Sequence, residues 1–207
     1  MTIVDLRSAR DELVAAAAAV TTADILSLSG HGNVSLRLTG RNEILYTASP
    51  SLRGFQAAQI VRIRLDGEVL EGNLPPLSAA AVQMHLAVYA EQDDANCVIH
   101  THSPAATTYA VAGHPILPWA EPLVIFGLDA GVPVVPYARR GTPDAAANIR
   151  SAITPDTHAL LLENHGVLVF HRSVAEAVRT GVLIEEAARL GIGATVLGGA
   201  RVIPTDH

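Results

Sequence analysis

Apolar and polar residues alternate through Val34-Ser35-Leu36-Arg37-Leu38, the two-residue period of a strand with one buried face. The segment before it, residues 5 to 21, has instead the spacing of an amphipathic helix, and the turn cluster Ser29-Gly30-His31-Gly32-Asn33 separates the two. Further strands are predicted over residues 43–47, 60–65 and 68–70, the last two joined by Asp66-Gly67, a two-residue hairpin signal. Helical spacing returns from Ser78 to Glu91 after Pro75-Pro76, and again over residues 103–111, where Ser103 is placed to cap and Pro104 to open the helix. Between them the apolar run that begins at Cys97 reads as a strand. A strand near Val132 to Val135, a helix from about Pro143 to Ile153, two strands around Asn164 and a helix from Ser173 to Leu190 follow. The glycines at 191, 193, 198 and 199 mark residues 191–207 as a C-terminal tail. Strands and helices mix without strict alternation, which predicts an α/β chain of the α+β type, with helices packed on a mainly antiparallel sheet. At 207 residues with 49% hydrophobic content, a single domain over residues 1–207 is expected.

Candidate chemistry sits where two of these strands end. His100 and His102, two apart in Cys97-Val98-Ile99-His100-Thr101-His102, leave one face of an extended chain and could converge on one point. His165, in Asn164-His165-Gly166 between two apolar runs, could complete a three-histidine metal site. Three neutral imidazoles leave a coordination position open, as catalytic sites do.

Composition sharpens that reading through an absence: all fourteen basic residues are arginine. Without a lysine amine, Schiff-base chemistry is excluded, and a Lewis-acidic metal is the electron sink that the sequence suggests. A net charge of −6 with few aromatic residues argues against a nucleic-acid partner. No apolar run is long enough to span a membrane, and the opening segment reads as a helix rather than a signal peptide because Asp11 and Glu12 interrupt its basic start. The lone cysteine, Cys97, lies in an apolar run, as a core thiol of a reducing compartment would, so a cytoplasmic protein is expected.

Gly32-Asn33-Val34-Ser35, Met84-His85-Leu86-Ala87-Val88-Tyr89, His100-Thr101-His102, Pro136-Tyr137 followed by Gly141, and Asn164-His165-Gly166 occur in one order along nearly the whole chain. In that order and spacing the chain resembles the class II aldolase/adducin family. The resemblance implies a three-layer αβα sandwich around a mainly antiparallel sheet, and a divalent metal of the zinc type (manganese, cobalt and iron are the alternatives) held by His100, His102 and His165. It also implies a homotetramer with active sites at subunit interfaces. Asn33 and Ser35 match positions that line the family's pocket; Ser49 and Ser51 could donate hydrogen bonds there, and Arg53 could clamp a carboxylate.

The chain departs from the family at several positions. The acid/base glutamate expected four residues before His85 is Ala81, and Ala79 and Ala80 replace hydroxyls that the resemblance would give to phosphate binding. The family's glycine-bearing phosphate loop is replaced by Thr47-Ala48-Ser49-Pro50-Ser51. A small substrate without a phosphate is therefore expected. Counting from His100, the family's proton-donating tyrosine falls on Glu121, beside Trp119, where a partly desolvated carboxyl could act as the acid. The expected function is a metal-dependent carbon-carbon lyase, aldolase or decarboxylase, that acts on a hydroxy-carbonyl or keto-acid substrate through a metal-bound enolate. Hydration or iron-dependent oxygenation at a three-histidine metal, and a non-catalytic adducin-like interaction module, are the alternatives.

Overall fold

A computed structural model describes residues 5–204. In chain order its elements are α1 (Leu6–Thr22), β1 (Gly32–Arg37), β2 (Glu43–Thr47), β3 (Ile60–Arg64), β4 (Val69–Glu71), α2 (Pro76–Glu91), β5 (Cys97–Thr101), α3 (Pro104–Ala112), α4 (Glu121–Ile125), β6 (Val134–Val135), α5 (Pro143–Ala152), β7 (Ala159–Leu162), β8 (Gly166–His171) and α6 (Val174–Val196). All eight strands form one sheet in the order β4-β3-β2-β1-β5-β8-β7-β6, antiparallel throughout except where β6 runs parallel to β7. Helices cover both faces, which completes the αβα sandwich.

Side-chain alternation along the strands decides which layer each residue joins. In β5, Cys97 and Ile99 enter the core beneath α1, α3 and α6, while Val98 packs on the other side among residues of α2 and α5. His100 continues the Val98 face and so points toward the α2 layer, where polar partners wait for it. Central strands β5, β7 and β8 are buried almost end to end, so they read as apolar runs rather than alternating ones.

Four local expectations change. The β3–β4 hairpin closes through three residues rather than two: Arg64 N–H donates to Glu68 O across Leu65-Asp66-Gly67, and Gly67 takes a φ of 96°. Ser103 does not cap α3; its hydroxyl pairs with Thr101 Oγ1 at 2.7 Å, and the helix start is satisfied from α6. The predicted tail begins too early, because α6 runs through Gly191 and Gly193 to Val196. Gly191 is required there: a Cβ would stand 2.1 Å from Tyr109 Oη and 2.5 Å from Trp119 Cζ2, so only glycine lets α6 pass these rings. The five-residue helix α4 has no counterpart in the sequence reading. Among the described residues no helix is long and apolar enough to cross a membrane.

Candidate metal centre

The neighbouring strands β5 and β8 pair with Thr101 opposite Val167, which sets the end of one beside the start of the other. His100 lies in β5, His102 just beyond it, and His165 in the turn that enters β8, made possible by Asn164 at a φ of 56°. The three rings offer nitrogen atoms that all lie within 4.8 Å of one another. His100 Nδ1–H donates to the Val167 carbonyl at 2.9 Å, which fixes the ring and leaves a lone pair on Nε2. That Nε2 is 3.0 Å from His102 Nε2. Two nitrogens about 2.0–2.1 Å from one zinc at a tetrahedral angle stand about 3.4 Å apart, so the pair fits a shared ion with little adjustment.

The environment keeps these imidazoles neutral, the form that binds metal. Burial, followed by the neighbouring His165 and His102, drives His100 well below the ordinary histidine range. Burial, His102 and Arg140 bring His165 down to about 4, and burial, His31 and Arg140 lower His102. The chemistry of the donor set therefore suits a divalent ion of the borderline type.

Two cavities meet at this centre. One, of about 490 Å³, runs from His102 and His165 along the 136–140 loop and Glu163 toward α5. The other, of about 310 Å³, lies between the β1–β2 edge and α2, walled by Asn33, Tyr46, Ser49, Ala81, His100 and His102. Arg140 lines both, and among the described residues no carboxylate pairs with it. Ala81 is buried in the wall of the smaller cavity, so the position of the missing glutamate does face the centre, with a methyl group in place of a carboxylate.

His85 is fully buried, and burial alone pulls it down to about 3. Its Nε2–H donates to Asn33 Oδ1 at 2.6 Å, and its Nδ1 accepts from the Ser35 hydroxyl at 2.7 Å. It is a positioning residue: with Asn33 Oδ1 committed, the amide hydrogens on Nδ2 are left for the cavity.

The expected anchors separate accordingly. Asn33 and Ser49 line the smaller cavity, and Ser49 Oγ accepts from Gln59 Nε2 at 3.1 Å, leaving its hydroxyl hydrogen free. Ser35, Ser51 and Arg53 line neither cavity. Ser35 is buried between His85 and Tyr89, Ser51 Oγ accepts from the Arg53 backbone, and Arg53 Nη2 donates to Ser27 O. Glu121 is exposed on the first turn of α4, away from both cavities of its own chain, and Trp119 Nε1 donates to Ala187 O beneath α6. Glu163 lines the larger cavity, where its carboxylate accepts from Tyr137 N–H at 2.7 Å. His31, which carried no constellation in the sequence, lies with its ring 6.1 Å from that of His102; His207 lies outside the described residues. Tyr46 and Arg140 are the cavity residues that sequence reasoning missed. The register that sets Tyr46 opposite Ser35, on the His100 face, is the signal for the first.

A mainly antiparallel αβα sandwich with three convergent, neutral imidazoles at one end and open cavities beside them defines an open metal site rather than a closed structural one. The profile of the Class II Aldolase and Adducin N-terminal domain matches residues 11–192. Over 98% of its length the chain is 31% identical to 5-deoxy-D-ribulose 1-phosphate aldolase of Bacillus thuringiensis serovar kurstaki, 92% of which is covered. Over 77% it is 30% identical to 3-oxo-tetronate 4-phosphate decarboxylase of Escherichia coli strain K12, with 74% of that protein covered. The solved structure of an L-fuculose 1-phosphate aldolase superposes with a TM-score of 0.85 at 24% identity, over 99% of this chain and 93% of the other, and so has the same fold. The chain belongs to the class II aldolase/adducin family.

Proposed function

We propose that this chain is a metal-dependent carbon-carbon lyase acting on a small hydroxy-carbonyl or keto-acid substrate, with His100, His102 and His165 as the metal ligands. The convergence of three imidazole nitrogens within 4.8 Å, with His100 locked by Val167, carries the proposal. These three histidines would hold a divalent ion, zinc first and manganese, cobalt or iron after it, which would supply a Lewis acid for negative charge on a carbonyl oxygen.

The chain's own residues do the rest. Asn33 Nδ2 and the Ser49 hydroxyl offer donors to substrate oxygens in the smaller cavity, and Arg140 offers a planar cation to a carboxylate there. Aldol cleavage must begin with removal of a hydroxyl proton, for which the alanine at 81 provides no base; decarboxylation needs no base to start. Within the lyase class the residues therefore favour decarboxylation. The relatives named above carry phosphates in their names, yet Ala79 and Ala80 supply no hydroxyls and Pro50 occupies a loop without a glycine, which supports a substrate without phosphate.

Self-association into a homotetramer fits the outer surface. Ile125 of α4 is 65% exposed, and Val196 and Leu197 at the end of α6 are more exposed still. Such an assembly is what the exposed Glu121 would need in order to act as an acid, since only the site of a neighbouring copy is open to it. The fully buried thiol of Cys97 suits the cytoplasm.

His102→Ala tests the assignment. Zinc-loaded wild-type protein should carry about one equivalent by elemental analysis, and the variant should lose most of it while remaining folded. Equal metal content would remove His102 from the ligand set, and equal lyase activity would remove the metal from the reaction.

A further inference from the structure

Two tyrosines are buried on the α2 side of the sheet, and their hydroxyls are treated differently. Tyr89, 2% exposed, has its hydroxyl 2.9 Å from Ser35 Oγ and donates to Ser35 O at 3.1 Å. Tyr46, 1% exposed, packs its ring edge-on against His85 with centroids 5.3 Å apart, and its hydroxyl makes no hydrogen bond with any described residue. The Tyr46 hydroxyl is thus not sealed in the core as that of Tyr89 is: it opens onto a cavity, where a ligand could take its hydrogen. Tyr46 lines the smaller cavity together with Asn33, Ala81, His100 and His102. It therefore stands in the wall where the acid/base carboxylate is absent.

We propose that Tyr46 is the proton donor of this site, delivering its hydroxyl hydrogen to the carbon left electron-rich when the carbon-carbon bond breaks. The assignment rests on the lyase reading above. In decarboxylation of a β-keto acid, the pair of electrons of the breaking bond moves onto the ketone as carbon dioxide leaves. The resulting enolate carbon takes the Tyr46 proton while its oxygen becomes a carbonyl again, and the phenolate left behind recovers a proton from water. Arg140, whose charge acts on Tyr46, faces the same cavity and stabilises the phenolate while it lasts. Burial otherwise raises Tyr46 well above the ordinary phenol range, so its hydrogen is in place at every physiological pH. An enolate carbon is a far stronger base than a phenolate, so the transfer still runs downhill. Tyr46 needs no second subunit, in contrast to Glu121.

Oxalate, a planar chelating dianion with the shape of an enolate and an oxygen where its carbon would stand, is the probe. Zinc-loaded wild-type protein, Tyr46→Phe and His102→Ala are compared by calorimetric titration, each with its zinc content measured afterwards. Tyr46→Phe keeps the ring on His85 and should keep its zinc, but should bind oxalate about ten-fold more weakly, the loss of one hydrogen bond. Equal affinity in Tyr46→Phe would overturn the donor assignment and leave the lyase reading standing. Loss of zinc or of fold in Tyr46→Phe would make Tyr46 a structural support and equally overturn it. Wild-type protein that binds oxalate no better than His102→Ala would overturn the lyase reading itself.

Discussion

At the scale of single residues the centre depends on one that carries no chemistry. A Cβ on Gly166 would lie 2.5 Å from the Thr101 carbonyl oxygen, 2.8 Å from His102 Cδ2 and 3.2 Å from His100 Cε1. The Thr101 carbonyl belongs to β5 and has little room to retreat, so either the two strands part or the His102 ring shifts, and both disturb the triad. Gly166→Ala is therefore expected to weaken zinc binding about ten-fold or more, about 1.4 kcal/mol, read by competition with a chromophoric chelator. Unchanged affinity would mean that the strands open without cost. The histidine triad itself was legible in the sequence because the two-residue period of a strand fixes His100 and His102 relative to each other. The need for glycine at 166 was not, since it arises only when β8 is laid against β5. Ser35 shows the same limit: its face could be read from alternation, but its partner His85 arrives from α2, and that contact turns a predicted substrate anchor into a support for Asn33.

Elements that the sequence showed are those long enough to display a period, and the boundaries of β2 and α5 fall within a residue of expectation. Helix α4 escaped because five residues with Pro122 at the second position are too few to show one. The start of α3 escaped for another reason, since what satisfies it comes from a distant part of the chain. Glu185 of α6, 3% exposed, accepts from Ala105 N–H at 3.1 Å and Ala106 N–H at 2.9 Å, placing a carboxylate on the helix N-terminus two residues after His102. Arg189, one turn along α6, donates to the same carboxylate at 3.1 Å. Removing the acceptor strands two buried N–H groups, so Glu185→Ala should cost about 2–3 kcal/mol in urea unfolding, and Glu185→Gln, which keeps one acceptor, less. Because α3 begins where the His102 segment ends, the alanine variant should also bind zinc more weakly. A loss within about 0.5 kcal/mol would show that water replaces the carboxylate.

For the whole molecule, the buried imidazoles set how stability responds to acid. His85 is held at about 3 by burial and His165 at about 4 by burial with His102 and Arg140, against roughly 6.5 in an unfolded chain. Between those values the unfolded chain binds protons that the folded one refuses, so stability rises with pH across the window and falls as the solution is acidified. For the metal-free protein, the free energy of unfolding should be nearly flat above pH 7. It should then drop below pH 6.5 by about 1.4 kcal/mol per pH unit for each such histidine, and level off near pH 3 if the fold lasts that far. His85 contributes through the fold alone, since it lies with Asn33 and Ser35 rather than in the triad. If the triad is the proposed metal site, added zinc should act through it as well: an ion that binds neutral nitrogens competes with the same protons, so zinc should raise stability most above pH 7 and lose its effect on acidification. Urea midpoints from pH 8 to 4, with and without zinc, measure both. A metal-free curve that stays level to pH 4 would mean that these histidines take up protons in the folded state as readily as in the unfolded chain, so that burial does not hold them neutral.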